Sequence, residues 1–216
     1  MMDKTVECLN DLVSRYPALE VCKEDIFRAY CIMAQAYENN GKLLVAGNGG
    51  SAADAEHIVG ELMKEFKLSR NLTDEQKQKL IEADEEYGKE LAETLQQSLA
   101  AIALAGHVSL TTACLNDVNG IFAFAQQLQG YGRVGDVFLG ITTSGNSKNV
   151  LLANAVAKAK GMKTIALTGG DGGEIKSKAD VSIVVPEEQT YKIQELHLPI
   201  YHCLCLMLEE KFFGEE

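Results

Sequence analysis

The amino-acid sequence predicts an α/β fold, a doubly wound five-stranded parallel sheet flanked by helices, with N-terminal helices before it and a helical insert. Three observations carry this. Five short β-rich runs, at 42–46, 108–114, 136–141, 163–168 and 181–185, are separated by stretches of helical character. Strands alternating with helices specify parallel connections with helices on both faces of the sheet. Glycines cluster where runs end, and only 3 prolines interrupt 216 residues, so tight turns are available without broken helices.

The elements follow in order. Residues 3–14 and 19–38 read as two helices; Ile26, Tyr30, Met33 and Tyr37 recur at helical spacing, and Asn39-Asn40-Gly41 stops the second. The strand at 42–46 runs into Gly47-Asn48-Gly49-Gly50-Ser51. A helix over 51–66 follows, with Ser51 as its cap and Asp54 three residues on as an approximate capping box. From Lys67 to Gly88 the chain turns charged and polar, an amphipathic helical insert that Gly88 hinges to a helix over 89–105. Residues 108–114 read as a strand, 121–128 as a helix and 136–141 as a strand. Thr142-Thr143-Ser144-Gly145-Asn146-Ser147 then opens a helix that ends at Lys160, capped by Gly161. The strand at 163–168 ends in Gly169–Gly173, which reads as simple turn chemistry, and the strand at 181–185 precedes a long C-terminal helix over 190–213. Residues 1–216 read as a single domain, of which 1–40 are the N-terminal helices.

Charge and cysteine usage narrow the function. A formal net charge of −11 argues against nucleic acid or an anionic membrane surface as partner. An anionic ligand would then be held by backbone amides at helix N-termini rather than by a basic patch. Six cysteines (Cys8, Cys22, Cys31, Cys114, Cys203, Cys205) form no CxxC pair and read as reduced thiols. Met1–Thr5 lacks a signal-peptide core, and the apolar runs are too short to span a bilayer. A cytoplasmic location follows as the expectation.

In an open parallel sheet, ligands sit beyond the carboxyl ends of the strands. The turn Gly47–Ser51 has neither the GxGxxG nor the P-loop spacing, so no nucleotide is expected. Alone it reads equally as an anion site or as a tight turn in which Ser51 is only a cap. Thr142, Thr143, Ser144 and Ser147 add four hydroxyls at a second helix start, and so many donors suit a phosphate. His57 and Glu61, at i and i+4, share a helix face, which suits a metal pair, an acid–base pair or a plain hydrogen bond. Gln194, Glu195, His197 and His202 intrude on an apolar helix and need partners or a function, although either histidine singly fits a buried structural role.

Gly47–Ser51 with His57 and Glu61, then Thr143–Ser147, then Ile193-Gln194-Glu195-Leu196-His197 with His202, resemble the sugar isomerase (SIS) domain family over nearly the whole chain, and within it the phosphoheptose isomerases. The resemblance implies that Ser51, Thr143, Ser144 and Ser147 hold a substrate phosphate within a turn-built pocket that includes Gly49, Gly50 and Thr142. It implies that Asn48, Asp117 and Gln194 help position the sugar, and that Glu61 is the catalytic base with His202 as acid–base partner. It also implies one zinc ion on His57, Glu61, Gln194 and His202, and a homotetramer. The implied reaction is a ketose–aldose isomerisation of sedoheptulose 7-phosphate to D-glycero-D-manno-heptose 7-phosphate, for heptose synthesis in surface glycans. A carboxylate that is partly desolvated suits the carbon-to-carbon proton transfer this needs, and zinc would act as a Lewis acid.

Geometry adds one expectation. Gln194 and His202 lie roughly 12 Å apart along an unbroken helix, so one ion cannot readily take both from the same straight helix. Either the chain bends near Pro199 or the site combines residues from two subunits. In the second case a Glu61→Gln chain mixed with a His202→Ala chain is expected to regain activity. The chain also departs from the family's pattern: Leu62-Met63-Lys64-Glu65-Phe66-Lys67 stands where a Gly-Arg pair follows the glutamate, leaving Lys64 or Lys67 as the basic contact. The insert at 67–88 reads as a solvated helix in preference to a lid. The competing functions are a non-catalytic SIS adaptor of a replication initiator or sugar-phosphate sensor, and a SIS isomerase or etherase acting on another sugar phosphate. Glu61 and His202 together favour the enzyme.

Overall fold

The computed structural model describes residues 4–214. Its centre is a parallel sheet of β1 (Leu43–Ala46), β2 (Ala101–Ala103), β3 (Val137–Ile141), β4 (Lys163–Gly169) and β5 (Val181–Val185), in the order β2-β1-β3-β4-β5. β1 and β3 are buried at every position because both faces of the sheet are covered, which is why they read as continuous apolar runs. Side chains alternate between the faces. Leu43, Val45, Leu139, Ile165, Leu167 and Ile183 enter one core with α1 (Lys4–Arg15), α2 (Lys23–Glu38), α3 (Gly50–Met63) and α9 (Thr190–Phe213). Leu44, Ala46, Phe138 and Ala166 enter the other, with α7 (Ala123–Tyr131) and α8 (Lys148–Ala159). The chain reverses its winding between β1 and β3, and this is where a doubly wound sheet opens a crevice.

Several elements differ from the sequence expectation. The first expected helix is described from Lys4, residue 3 lying outside the described residues, and 19–22 belong to a 3-10 turn, Pro17–Cys22, ahead of α2. The run at 108–114 is not a strand. It forms α6 (Val108–Ala113), followed by a wide π turn over Cys114–Val118. The fifth strand is instead β2, within the segment expected as a helix over 89–105. Alanine-rich 99–105 has helical propensity, but a vacant ladder position beside β1 offers Ala101–Ala103 backbone partners and a buried face; tertiary pairing overrides propensity. The helix expected over 51–66 ends at Met63, and its N-cap is Gly49, whose φ of +56° suits only glycine. Ser51 is therefore not the cap; it is buried in the first turn.

The insert is a helical hairpin rather than one helix: α4 (Asp74–Ala83) opens on a Thr73–Gln76 capping box, and α5 (Gly88–Thr94) packs back on it. A β-carbon on Gly88 would lie 2.4 Å from the Leu80 carbonyl oxygen, so glycine there permits the two helices to meet. The hairpin leaves and rejoins the body at one point, where Asn71 bridges Gln96 and the Gln97 amide donates to the Arg70 carbonyl at 2.7 Å. All six cysteines are free.

Candidate active site

Two turns meet at the switch point between β1 and β3. A cavity of about 350 Å³ opens there, lined by Asn48, Gly49, Gly50 and Ser51 from the first turn, Ile141, Thr142, Thr143 and Ser147 from the second, and Thr190 and Gln194 from α9. No charged side chain lines it, so an anion here would rest on hydroxyls, amides and helix ends. The two turns are tied across the cavity mouth: Asn48 and Asn149 exchange amide hydrogen bonds at 3.0 and 2.8 Å. Thr142 donates to the Ser147 hydroxyl at 2.9 Å, which leaves the Ser147 proton free for a ligand. Gly145 (φ +68°) approaches the third glycine turn so closely that a β-carbon would meet the Gly172 carbonyl oxygen at 2.0 Å, so that turn buttresses the second. Gln194 lies against Gly50, where an added β-carbon would stand 2.5 Å from its side-chain nitrogen.

Two expected site residues, Ser144 and Asp117, do not line this cavity within the chain. Ser144 is exposed and accepts from the Asn146 amide, so it shapes the turn. Asp117 is exposed on the π turn and accepts from Asn116 at 2.7 Å. Strand periodicity assigned to 108–114 hid that its segment is helical.

Two turns further along α3 lies a second cluster. His57 Nε2 is 3.0 Å from Glu61 Oε1, and His57 Nδ1 is 3.0 Å from the Tyr201 hydroxyl, which donates to Asp54 Oδ1 at 3.3 Å. The His202 ring stands edge-on to His57, with centroids 5.0 Å apart, and packs on Tyr201 and Phe66. Its Nε2 is buried without a hydrogen-bond partner. Burial first, and then the neighbouring His57, hold the His202 imidazole below its ordinary value, so it favours the neutral form. Burial raises Asp54, against the opposing pull of the Tyr201 bond and His57. Burial and the Asp54 carboxylate push the Tyr201 hydroxyl well up. Lys64 reaches to 3.7 Å from Glu61 Oε2, whereas Lys67 gives its backbone amide to Glu209. Lys64 is thus the basic side chain at the glutamate.

His197 is the structural histidine of the C-terminal helix. It is fully buried, Nε2 meets the Thr168 carbonyl at 3.3 Å, and burial brings its pKa down to about 4. It ties α9 to β4 as a neutral ring.

α9 runs through Pro199 without a break from Thr190 to Phe213. Gln194 therefore faces the strand-end cavity while His202 joins the His57–Glu61 cluster, and the four expected zinc ligands do not converge within one chain. Among the described residues no three His, Cys, Asp or Glu side chains close on a common point. The donor types nonetheless suit zinc, and the unpartnered His202 Nε2 is the atom such an ion would satisfy. Sequence reading missed Tyr201, Asp54 and Asn149; Tyr201 and Asp54 matter only through contacts between α3 and α9, 147 residues apart.

The SIS domain family models match residues 94–207 and 10–98. The phosphoheptose isomerase of Leptospira biflexa serovar Patoc is 42% identical over 183 residues, covering 85% of this chain and 82% of its own. The solved phosphoheptose isomerase of Neisseria gonorrhoeae superposes with a TM-score of 0.73 at 33% identity, over 96% of this chain and 94% of that one. That of Francisella tularensis gives 0.75 at 32%, over 97% and 98%. By these matches over most of its length, this chain belongs to the SIS-domain family and, within it, to the phosphoheptose isomerases.

Proposed function

We propose that this chain is an aldose–ketose isomerase that converts sedoheptulose 7-phosphate to D-glycero-D-manno-heptose 7-phosphate, in heptose biosynthesis for surface glycans. The observation that carries the reading is the division of labour along α3. Its N-terminus borders a cavity of hydroxyls and amides fit for a phosphate, and its last turn carries a carboxylate hydrogen-bonded to an imidazole. Ser51, Thr143 and Ser147 take the phosphate, and Asn48 and Gln194 orient the sugar chain. Glu61 takes the proton from one carbon and returns it to its neighbour, and neutral His202 moves the proton between the two oxygens.

Ser51 and Glu61 are ten residues apart, roughly 15 Å along the helix axis. One heptose phosphate would have to span nearly three turns of α3 to meet both within a single chain. The reading therefore joins the cavity of one subunit to the Glu61 cluster of another in a homo-oligomer, and the family resemblance makes it a tetramer. His57, Glu61 and His202 of one copy, with Gln194 of a neighbour, would hold zinc. A zinc ion there supplies Lewis acidity toward the substrate oxygens. A cytoplasmic site of action goes with a soluble sugar-phosphate substrate, and among the described residues no helix is long and apolar enough to cross a membrane.

Incubation with sedoheptulose 7-phosphate, with zinc supplied or with chelator, and analysis of the products tests the reading. Aldoheptose 7-phosphate formed with zinc and reduced by chelator is the expected result. No aldoheptose phosphate from folded, zinc-supplied protein would remove the heptose assignment.

A further inference from the structure

Asn149 stands in the first turn of α8, beside the strand-end cavity but not among the residues that line it. Its side-chain oxygen accepts from the Val150 amide at 3.0 Å, a hydrogen which that amide shares with the Ser147 carbonyl at the same distance. A backbone N–H can donate to the oxygen of an asparagine amide but not to its NH2 group, so this bond fixes which end of the Asn149 side chain is which. Asn149 Nδ2 then donates to Asn48 Oδ1 at 2.8 Å, and Asn48 Nδ2 donates back to Asn149 Oδ1 at 3.0 Å. Reversing one amide would set oxygen against oxygen and NH2 against NH2. Reversing both would turn an NH2 group toward the Val150 N–H. The backbone of α8 thereby dictates the orientation of a side chain 101 residues earlier.

An asparagine amide has two donor hydrogens and two acceptor lone pairs. Asn48 gives one of each to Asn149 and keeps the others for solvent or a ligand. It is exposed and lines the cavity. Unpaired, such a side chain samples several rotamers and both amide orientations, and ordering it on binding would subtract from a ligand's affinity. Paired with Asn149, it is ordered before the ligand arrives. The pair also spans the two turns that form the cavity walls, because Asn48 directly precedes the Gly49 cap of α3 and Asn149 lies two residues past the Ser147 cap of α8.

We propose that Asn149 is a positioning residue whose side chain acts through Asn48. It holds Asn48 with one N–H and one lone pair available to a phosphorylated sugar, and it fixes the spacing of the two turns around that sugar. The inference rests on the reading of this cavity as the sugar-phosphate seat. It does not depend on the sugar being a heptose or on where the base acts.

The test is a double-mutant cycle of Asn48→Ala, Asn149→Ala and the two combined. Affinity is read by calorimetry with sorbitol 6-phosphate, a phosphorylated polyol with no carbonyl to isomerise, and turnover with sedoheptulose 7-phosphate. Asn149→Ala is expected to weaken the polyol phosphate about tenfold, equivalent to about 1.4 kcal/mol. KM should rise in step while kcat stays within about threefold. In the Asn48→Ala background the same substitution should change neither further, whereas a role in merely steadying α8 would carry over undiminished. Asn149→Ser keeps a small polar residue in the first helical turn but has no amide to pair with, so it should repeat the loss if Asn149→Ala folds poorly. Unchanged affinity in both Asn149 variants, or an effect as large on Asn48→Ala as on wild type, would overturn the proposal. A wild type that binds the polyol phosphate without isomerising the heptose would fault the substrate assignment alone. A wild type that binds no polyol phosphate would remove the cavity reading and this inference with it.

Discussion

Arg70 Nε meets Glu209 Oε1 at 2.8 Å, with side chains 0% and 1% exposed. The other guanidinium nitrogens donate to the carbonyls of Leu62 and Glu61 at 2.8 and 3.1 Å, capping the last turn of α3. The carboxylate accepts from the backbone amides of Phe66, Lys67 and Leu68 at 2.8 to 3.0 Å. One ion pair thus closes the helix that carries Glu61, orders the chain leaving it and fastens both to α9. A buried pair costs desolvation, and here that cost is offset because both partners also bond backbone groups that would otherwise be orphaned.

Removing one partner should therefore be severe. Arg70→Met leaves a buried carboxylate and two uncapped carbonyls, and is expected to cost about 3–5 kcal/mol, read from the denaturant midpoint. A loss below about 1 kcal/mol would mean the pair is not closed off as described.

The same pair gives a pH dependence whose sign is fixed. Burial raises the Glu209 carboxyl, but the three amides and Arg70 outweigh it and hold it below its ordinary value of 4.5. A depressed carboxyl contributes stability that is fully present above the unfolded value and lost as pH falls through the folded one. Stability from this group is expected to be flat from pH 7 down to about 5 and to decline below 4.5. A Glu209→Gln variant, weaker throughout, should show less of that decline in denaturant midpoints measured across pH 3–7.

Glu61→Gln tests the base with little risk to folding, because among the described residues the Glu61 side-chain oxygens meet only His57 and Lys64. It is expected to lower kcat by about 10²–10⁴-fold while thermal stability is retained. His202→Ala should lower kcat as well. Unimpaired turnover in Glu61→Gln would place the base elsewhere.

Much of this was legible in the sequence, for identifiable reasons. Strands β1, β3 and β4 are buried on both faces, so their apolar runs stand out, β5 is valine- and isoleucine-rich although one face is only half-buried, and the turns after β1 and β3 declare themselves by residue types that strands and helices avoid. β2 was not legible because it is three residues of alanine and isoleucine whose strand character comes wholly from pairing with β1. Arg70 stands in a charged, polar stretch and Glu209 near the end of the C-terminal helix, with no local pattern to mark either; their burial depends on contacts 139 residues apart in sequence. The eight-residue gap between Gln194 and His202 was legible, and α9 continues as one helix through Pro199 between them.

That same geometry changes the experiment that tests a shared site. Glu61 and His202 lie in one cluster of one chain, so mixing Glu61→Gln with His202→Ala damages the same half twice and should restore nothing. The informative partner is Ser147→Asp, which keeps a good N-cap residue on α8 while placing a carboxylate against the phosphate. Each variant alone should be inactive. Chains mixed, unfolded and refolded together are expected to regain turnover, through sites that draw an intact cavity from one chain and an intact Glu61 cluster from the other. Absence of recovery in verified hybrids would confine the site to one chain.

The helical hairpin should prove separable from both fold and chemistry. No residue of α4 is buried and α5 buries only Gly88 and Ala92, so the two helices satisfy each other and lend little to the core. Their base is already closed by Asn71, Gln96 and Gln97. Replacing residues 73–95 with a short Gly-Ser link shortens the loop between fixed ends, and loop-closure entropy changes by only about 1 kcal/mol for such a cut. The shortened chain is expected to keep its denaturant midpoint within that margin and its kcat/KM within about threefold, equivalent to less than 1 kcal/mol. A preserved midpoint with a kcat/KM lowered a hundredfold would instead make the hairpin a working cover for the site. Because Tyr87, Leu91 and Leu95 are exposed apolar residues at successive turns along it, their triple replacement by serine would then be the variant to compare with the deletion.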